Sequence, residues 1–502
     1  MGTAGSVGAT LRKDEEIKMD KRLDGLFNPE NIAVVGASSN PLKAGYIILN
    51  NLLNIGYEKK IFPINITETE ILGLPCYQKL SQVPEKVELV VLITPARMIY
   101  ELMEDLDLRM QEKKDVKVIV CAAADYGETK TDEGIARQNC LLDMAAKHGI
   151  RVVGPNCIGV IDNINRVDTT FIETMLPKEM RGRKGGISFI SQSGAVAASL
   201  LMMGASQPYP ISMNKFISIG NMADVDFIDL LEYFEQDEDT RVIGMYMEGY
   251  PDGRKLIDTL ARITKKKPVV ILKVGRSEIG AKAANSHTGS LAGADAVYDA
   301  AFTQYGILRV FTMEELLDAI QAFDEITLPA GNKTFILSQA GGPGIYCTDA
   351  FVEQGNLEFP LISKESRSRL AKLLPDMANI CEPEGYADIT AAATVEHHVE
   401  SLRIVMEDEQ VDGVLFITVV PTFLPQDELA QGLVKLLKEE GYLNKKPVYI
   451  CIMAGNYVRE CRRILEENGI RTYDTPVHAV KAASLAVKYR EFLTGERSAD
   501  NE

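Results

Sequence analysis

Short hydrophobic runs rich in β-branched residues alternate with helical patterns along most of this 502-residue sequence. In the first third of the chain these runs are Ile32–Val35, Lys60–Asn65, Leu89–Thr94, Val116–Ala122 and Ile150–Val153. Such alternation predicts a parallel sheet with helices on both faces, because parallel strands need crossover connections. The pattern restarts near Lys184 and, after a linker-like stretch at 327–332, near Thr334. The sequence therefore predicts three successive α/β units.

The composition excludes several classes of function. A formal charge of -17 disfavours nucleic acid as a partner, since phosphate backbones require Lys and Arg surfaces. No apolar run reaches the length of a membrane span, and the first residues lack the apolar core of a signal peptide. The eight cysteines are scattered without a CxxC motif, which favours a reduced, cytoplasmic protein. Residues 1–23 are expected to form a flexible lead-in.

The turn after the first predicted strand, Gly36–Lys43, has features of a phosphate-binding helix start. Gly36 lets the backbone turn, Asn40 is expected to cap the helix, Pro41 suits its first position and Lys43 adds a positive charge. The nicotinamide fingerprint is incomplete, and the second strand ends at Asn65 where a ribose-binding acid would stand. A nucleotide-phosphate pocket and a plain βα turn both remain open here.

Two further turns follow predicted strands. The segment Gly154–Gly159 is able to present amides to a carboxylate, although a purely structural turn explains it equally well. Ser191–Ala195 connects a strand to a helix start and forms either an anion cradle or an ordinary turn. The segment Ser338–Gly344 repeats this pattern in the third unit, which indicates a weak internal repeat of one fold.

His287 lies in a run of small residues, Ala284–Gly293, between a strand pattern and a helix pattern. We expect a loop that approaches a ligand closely, with an imidazole able to accept and pass on a group. A flexible surface loop is the alternative. Glu248 follows the strand pattern Val242–Met247 at the same sheet edge, so a contact between Glu248 and His287 is expected. The other four histidines, His148, His397, His398 and His478, are expected to be structural or solvated.

Taken together, these segments resemble the α-type chain of nucleoside-diphosphate-forming acyl-CoA synthetases, the ADP-forming acetate–CoA ligases, which are relatives of succinyl-CoA synthetase and ATP-citrate lyase. The resemblance extends from about Asp24 to Thr494. The motifs that carry it are Ile32–Ser38, Gly154–Gly159, Ser191–Gly194, Ile219–Asn221, Met247–Gly249, Lys273–Arg276, Ser286–Gly293 and Gly341–Gly344.

The resemblance implies an α/β fold with an N-terminal Rossmann-like CoA-binding domain and two flavodoxin-like doubly wound domains. Their expected bounds are 24–165, 166–327 and 333–495. It also implies that His287 is phosphorylated and that an ATP-grasp β subunit binds ATP or ADP and Mg²⁺, in an α2β2 assembly. The CoA contacts are expected at Gly36, Ala37, Ser38, Lys43, Asn65, Thr94 and Pro95. Asn156, Cys157 and Gly159 are expected near the thiol and the acyl carboxylate, with Cys157 as a packed residue and not a nucleophile.

The chemistry of these residues suits such a role. An imidazole has an ordinary pKa of roughly 6.5, so much of His287 is a neutral nucleophile at neutral pH. Glu248 would accept the Nδ1 proton and leave Nε2 free to attack phosphorus. Amides at Ser193, Gly194 and Ala195 would hold the phosphoryl group. The resulting cycle, through phosphohistidine and acyl phosphate, converts a carboxylic acid, CoA and ATP reversibly to acyl-CoA, ADP and phosphate.

The sequence also departs from the family in two ways. It contains no ATP-grasp segment and no Walker loop, and Gly385–Asp388 stands where relatives carry Asn-Pro-x-Asp. The acyl group, the physiological direction and the choice between ADP and GDP are left open. Two other functions remain as alternatives: a non-catalytic CoA-binding regulatory or scaffold protein, and an NAD-dependent dehydrogenase. Retention of both His287 and Glu248 argues against the first alternative, and the incomplete glycine fingerprint against the second.

Overall fold

A computed structural model describes residues 20–172, 180–288, 295–325 and 327–496, with the side chains of 285–288 left out. Three mainly parallel sheets follow one another along the chain, each flanked by helices. Two core clusters cross between units, one shared by the first and second sheets and one by the second and third. The predicted α/β fold, with a Rossmann-like unit and two flavodoxin-like units, is confirmed.

The first sheet has five parallel strands in the order β2-β1-β5-β6-β7. Its strands and the small hairpin β3–β4 are β1 Asn31–Val35, β2 Lys60–Ile64, β3 Glu70–Ile71, β4 Leu74–Pro75, β5 Leu89–Leu92, β6 Val118–Cys121 and β7 Arg151–Val153. The helices of this unit are α1 Asp24–Phe27, α2 Ala44–Ile55, α3 Ile99–Glu112 and α4 Asp132–His148. The strands β5, β6 and β7 are buried along their whole length, as expected for a sheet covered on both faces.

The second sheet has seven strands in the order β14-β13-β12-β10-β11-β8-β9. The strands are β8 Val160–Asp162, β9 Val167–Asp168, β10 Ile187–Ser191, β11 Met213–Ser218, β12 Val242–Met247, β13 Val269–Lys273 and β14 Leu308–Val310. The helices are α5 Gly194–Ala205, α6 Phe227–Gln236, α7 Gly253–Ile263, α8 Glu278–Thr288, α9 Asp295–Gln304 and α10 Met313–Glu325. All pairings are parallel except those made by β8, which runs antiparallel to β9 and β11.

The third sheet has six strands in the order β16-β17-β15-β18-β19-β20, with only the edge strand β16 antiparallel. The strands are β15 Thr334–Ser338, β16 Asn379–Ile380, β17 Tyr386–Asp388, β18 Gly413–Thr418, β19 Val448–Ile452 and β20 Thr472–Tyr473. The helices are α11 Gly341–Gln354, α12 Lys364–Leu373, α13 Val395–Glu407, α14 Gln426–Val434, α15 Arg459–Glu467 and α16 Pro476–Thr494.

The structure differs from the expected boundaries at two places. Residues 20–23 are ordered and not a flexible lead-in, because Leu23 is buried and Asp20 pairs with Arg151 at 2.6 Å. Arg151 also reaches Asp224 and Asp229, so this cation joins the start of the chain to the second unit. The strands β8 and β9 belong to the second sheet, so the chain enters that sheet before residue 166.

The predicted cap of the first long helix is wrong. Asn40 Oδ1 accepts from the Leu42 amide at 3.0 Å, and its carbonyl accepts from the Lys43 amide at 3.0 Å. The residues that were expected to start the helix form this local turn instead. Consequently α2 begins at Ala44, and Lys43 occupies the cap position without a capping hydrogen bond from its side chain.

Among the described helices, none combines the length and the apolar composition that a membrane span requires.

Candidate functional site

The start of α5 lies at the carboxyl edge of the second sheet. β10 ends at Ser191, and Ser193 Oγ accepts from the Val196 amide at 3.3 Å, which caps the helix. Gly194 and Ala195 are its first two residues and reach the surface. The first amides of a helix have no partner within it and carry the positive end of its dipole. The predicted residues Ser193, Gly194 and Ala195 thus form a helix start suited to an anion.

Gln192 connects this helix start to Glu248. Its Oε1 accepts from the backbone amides of Glu248 at 2.5 Å and Gly249 at 3.2 Å, and its Nε2 donates to the Gly249 carbonyl at 2.8 Å. Glu248 follows β12 directly and is buried, with 6% of its surface exposed. Three hydrogen bonds from one buried amide fix the backbone of the carboxylate residue next to α5. Gln192 lies within the motif Ser191–Gly194, but its local sequence does not indicate this role.

Two neighbours respond to the charge of Glu248. Burial, followed by the charge and hydrogen bond of Glu248, raises the pKa of Tyr246 to about 12. Burial also lowers the pKa of Lys273, while the charge of Glu248 opposes that shift. Lys273 Nζ donates to the Val274 carbonyl at 2.5 Å and lies 4.9 Å from the ring centroid of Tyr298. Lys273 is buried at the end of β13, and its local sequence does not reveal this burial.

His287 occupies the last turn of α8, the helix that follows β13. The expected loop is therefore wrong for Ala284–Thr288, because the alanine-rich run 281–284 favours a helix and outweighs the small residues after it. The rest of that run, residues 289–293, lies outside the described residues. The His287 side chain does so too, and with it the expected contact with Glu248.

The turn Gly154–Gly159 follows β7 and packs against the second unit. Carbonyls of Pro155 and Gly154 accept from the amides of Asn221 at 2.9 Å and Ala223 at 3.1 Å. A Cβ added at Gly194 would lie 2.7 Å from Cγ2 of Ile158, so this turn and the start of α5 are in direct contact. The structure therefore brings the predicted substrate turn and the predicted anion cradle together.

The three predicted substrate residues differ in exposure. Asn156 is exposed, with φ 58°, and its Nδ2 lies 3.4 Å from Asn221 Oδ1. Cys157 is buried, its Sγ lies 3.4 Å from the Cys121 carbonyl, and burial raises the pKa of its thiol to about 12. Gly159 has φ 106°, and a Cβ there would lie 2.4 Å from the Thr169 carbonyl oxygen. Of these three residues, only Asn156 has an exposed side chain.

The residues expected to contact CoA cluster at the carboxyl edge of the first sheet. Asn65 Nδ2 donates to the Ala37 carbonyl at 2.8 Å, and Ser38 Oγ accepts from the Asn40 amide at 3.1 Å. Gly36 has φ 96°, and a Cβ there would lie 2.9 Å from Thr94 Cγ2. The exposed residues Lys43 and Pro95 lie in the connections after β1 and β5. These loops form a shallow edge of backbone groups with one cation beside it.

The third unit repeats the turn of the second. Ser338 Oγ donates to the Ala340 carbonyl at 2.8 Å, as Ser191 Oγ does to the Ser193 carbonyl. Gln339 Oε1 accepts from Thr418 Oγ1 at 2.6 Å and the Val419 amide at 3.1 Å. The unusual segment Gly385–Asp388 lies beside this turn, since a Cβ at Gly341 would be 3.2 Å from Asp388 Oδ2.

The remaining histidines have structural partners, as predicted. His148 Nε2 lies 2.6 Å from Asp107, and His478 Nδ1 lies 2.8 Å from Asp318. Burial lowers the pKa of His398 to about 4, and its Nδ1 contacts the Thr394 carbonyl at 2.7 Å. His397 accepts from the Thr394 amide at 3.2 Å in a capping box. Within the described ranges, no group of three or more His, Cys, Asp or Glu side chains is arranged to hold a metal ion.

The first two α/β units, which carry the residues described above, match two known domain families. Residues 30–163 match the CoA binding domain, and residues 184–323 match the succinyl-CoA ligase like flavodoxin domain. The first unit is therefore a CoA-binding domain, and the second carries the helix start and Glu248 described above.

Known proteins extend the match over nearly the whole chain. The α subunit of acetate–CoA ligase [ADP-forming] II from Pyrococcus furiosus is 37% identical, covering 94% of this chain and 99% of that protein. The acetate–CoA ligase [ADP-forming] of Methanocaldococcus jannaschii is 35% identical over 94% of this chain, which spans 64% of that longer protein. The 4-hydroxybutyrate–CoA ligase [ADP-forming] of Nitrosopumilus maritimus is 31% identical over 93% of this chain, which spans 64% of it.

A solved structure agrees with these relatives. The dinucleotide forming acetyl-coenzyme A synthetase 1 of Ca. Korarchaeum cryptofilum, in complex with phosphate and ADP, superimposes with a TM-score of 0.84. It is 34% identical, and the match covers 95% of this chain and 99% of that one. This chain belongs to the family of α subunits of ADP-forming acetate–CoA ligases.

Proposed function

We propose that this chain is the α subunit of an ADP-forming acid–CoA ligase in which His287 carries the phosphoryl group. One observation carries the proposal: Gln192 holds Glu248 beside the start of α5, at the sheet edge from which the helix of His287 departs. A carboxylate that orients an imidazole and a helix start that holds an anion are the two groups that a phosphohistidine needs. A non-catalytic CoA sensor would need neither.

In the direction of ATP synthesis, a phosphate oxygen attacks the thioester carbonyl carbon and the CoA thiolate leaves, which produces an acyl phosphate. His287 Nε2 then attacks phosphorus, the P–O bond to the acyl group breaks, and the carboxylate leaves. An ADP oxygen finally takes the phosphoryl group from Nε2 and restores the histidine. Glu248 accepts a hydrogen bond from Nδ1–H throughout and stabilises the ring while it is phosphorylated. Each step is reversible, so the same groups serve acyl-CoA synthesis.

The amides at the start of α5 are proposed to hold the phosphoryl group on His287. Such donors are already oriented, and they stabilise the charge without recruiting water as exposed lysines do. The start of α11 is proposed as a second cradle of the same kind, because the third unit repeats the turn. Its Gln339 is buried, and Nε2 has no hydrogen-bond partner among the described residues, so one donor there is left for a ligand.

CoA is proposed to bind across the loops that contain Gly36, Ala37, Ser38, Lys43, Asn65, Thr94 and Pro95. Gly36 allows two of these loops to approach each other, and Lys43 supplies a cation for the CoA phosphates. The acyl end would then reach the turn of Asn156, Cys157 and Gly159, which contacts the start of α5 through Ile158. This arrangement would pass the acyl phosphate to His287 over a short distance.

A partner subunit of the ATP-grasp type is proposed to bind the nucleotide and Mg²⁺, in an α2β2 assembly. The described residues include no group of ligands suited to a metal, and the relative from Methanocaldococcus jannaschii is a longer single chain. We propose a small monocarboxylic acid as substrate, with acetate as the first to test. All eight cysteines are unpaired, which fits the proposed cytoplasmic location.

The test is the intact mass of the full chain after incubation with its partner, acetyl-CoA, phosphate and Mg²⁺. We expect an acid-labile gain of one phosphoryl group that is lost in His287→Ala. His397→Ala is the matched control and should keep the gain, since His397 caps a helix in the third unit. A wild-type chain that never gains this mass with any acyl-CoA in the series acetyl, 4-hydroxybutyryl and aryl would overturn the proposal.

A further inference from the structure

A cavity of about 300 Å³ lies between the second and third units, which we call the interdomain cavity. Its walls include the first residues of strands from both sheets, Ile187 of β10 and Val448 of β19, together with Ser212, which precedes β11. These positions mark the amino edges of the sheets. The candidate site lies at the opposite, carboxyl edge, so the interdomain cavity is separate from it.

Polar atoms without partners are concentrated in this cavity. Four of its lining side chains each contain a buried nitrogen or oxygen that makes no hydrogen bond within the part of the chain that the structure describes. The four atoms are Arg183 Nη1, Gln321 Oε1, Tyr449 Oη and Arg471 Nε. Leaving a buried polar group unpaired costs free energy, and native structures contain few such groups. Four around one space therefore indicate a polar occupant.

Arg183 is the group that points to an anion. Its guanidinium lies 4.1 Å from the ring centroid of Tyr209, while its Nε and Nη2 donate to Ser212 Oγ and the Pro210 carbonyl. Arg183 forms no salt bridge with the described residues. Burial lowers its pKa, while the charge of Glu325, which also lines the cavity, opposes that shift. Arg183 lines the cavity, and its remaining Nη1 carries donors that have no partner within the described part of the chain, so an anion would complete its hydrogen bonds.

The other walls indicate what the rest of the ligand contains. Tyr449 is buried, and burial raises the pKa of its hydroxyl well above the ordinary value, so it remains neutral and can donate or accept. Gln321 Oε1 accepts only, and therefore requires a donor on the ligand. The rings of Tyr209, Tyr449 and Tyr473 provide flat apolar surface.

We propose that the interdomain cavity binds a small organic anion that has a planar ring and a hydrogen-bond donor, as a nucleoside monophosphate or a hydroxyaryl carboxylate does. The anionic group binds Arg183, the ring lies against the tyrosines, and the donor meets Gln321. The volume lies at the lower end of the range found for small-molecule pockets. This site goes beyond the proposed ligase function and does not depend on it.

Binding at this position would act on the catalytic edge through two elements. β10 runs from the cavity at Ile187 to Ser191, and α5 runs back from the proposed cradle to Ala205. The loop after α5 contains Tyr209, whose amide donates to Glu466 of the third unit at 3.1 Å. An occupant would therefore hold the far ends of the strand and helix that form the cradle.

The test is isothermal titration calorimetry of the full chain, saturated with CoA so that adenine and phosphate groups cannot enter the CoA site. The probes are AMP, 4-hydroxybenzoate and inorganic phosphate. We expect saturable binding of AMP or of 4-hydroxybenzoate, and the one that binds identifies the source of the anion. Arg183→Gln should weaken this binding roughly ten- to hundredfold, and Tyr449→Phe about three- to tenfold.

Matched controls are Arg254→Gln, whose side chain is 83% exposed on α7, and Tyr457→Phe, a half-exposed residue outside the cavity. Both should bind like the wild type.

Tyr449→Phe removes only an unpaired hydroxyl, so it should fold normally and decides the test if Arg183→Gln does not fold. The proposal is overturned if neither ring-bearing probe binds at millimolar concentration. It is overturned equally if phosphate binds as tightly as the ring-bearing probes, or if Tyr449→Phe leaves binding unchanged. Phosphorylation of His287 is measured separately and is unaffected by these outcomes.

Discussion

The second and third units contain the same turn, but the turn holds different residues in the two units. In both, the first long strand ends in a serine and a glutamine follows it, and this glutamine accepts hydrogen bonds from the end of the neighbouring strand. In the second unit the residue held in this way is Glu248, and in the third it is Val419. His287 follows β13 in the second unit, whereas the helix after β19 contains no histidine.

The comparison indicates that one fold can carry different side chains at its strand ends, and the proposed reaction depends on those side chains. Gln192 uses both ends of its amide, whereas Gln339 leaves Nε2 without a partner among the described residues. Ser193 caps α5, whereas Ala340 at the equivalent position gives α11 no side-chain cap. These differences make the second turn the more rigid one and leave the third turn with free donors.

The largest difference between the two turns is expected from Glu248→Gln. The amide keeps the shape but cannot neutralise a charged imidazole ring, so formation of phosphohistidine should slow roughly a hundred- to ten-thousandfold. Quench-flow with intact mass spectrometry measures this rate. Glu396→Gln, an exposed change in the third unit, should leave the rate unchanged. A wild-type rate in Glu248→Gln would remove the orienting role of this residue.

The two glutamines are expected to differ in local stability. Gln192→Leu leaves two buried amides and a carbonyl unpaired and should cost about 3 kcal/mol of local opening free energy. Gln339→Leu removes a side-chain amide whose NH₂ group has no partner among the described residues. Losing this unpaired group offsets part of the loss, so the variant should cost only about 1 kcal/mol. Hydrogen exchange of peptides covering 246–250 and 417–421 measures both values. Equal losses of protection would contradict the difference inferred between the turns.

Opposite substitutions at the cap positions of α5 and α11 should change helix stability in opposite directions. Ser193→Ala removes the hydrogen bond to the Val196 amide and should cost about 1 kcal/mol. Ala340→Ser adds a capping oxygen to α11 and should stabilise it by about 0.5 kcal/mol. Urea unfolding or hydrogen exchange at the two helix starts measures these opposite effects. A loss in both variants would show that α11 starts in a different way from α5.

The smallest effect is expected at the ion pair between Asp318 of the second unit and His478 of the third. The hydrogen bond that His478 donates to Asp318 raises the pKa of His478, so this pair stabilises the fold fully below the unfolded pKa of roughly 6.5. The contribution disappears as the pH rises through the raised pKa of the folded state. His478→Gln should therefore lower stability by roughly 0.5 kcal/mol at pH 6 and hardly at all at pH 9. His397→Gln is the control, and an equal loss of melting temperature at both pH values would exclude a titrating pair.

Local patterns were sufficient for the elements that depend on local properties. Strand predictions such as Val242–Met247 agree with the structure because a strand covered on both faces needs a continuous apolar run. The helix start after Ser193 was also predictable, since a small polar residue after a strand is a strong cap signal. Asn40 carries the same signal, yet its side chain closes a turn with Leu42, and the sequence does not distinguish these two uses.

Other features depend on partners that are distant in the chain. Gln192 and Glu248 are 56 residues apart, and neither local sequence indicates the hydrogen bond between them. The strand β8 joins the second sheet because it pairs with β11, and residues 160–162 were predicted to belong to the first domain. Lys273 reads as an ordinary strand end until its burial is known.

The pattern of apolar runs and turns was enough to specify three α/β units, because it follows from residue type and spacing. The carrier role of His287 was implied by the resemblance of its motifs to a family and stays a prediction. Packing decided the rest: which carboxylate is held beside which helix start, and which cations share a cavity. Arg183, Gln321 and Tyr449 meet only because two sheets pack together, and contacts of that kind arise from the summed fit of whole units rather than from any short stretch of chain.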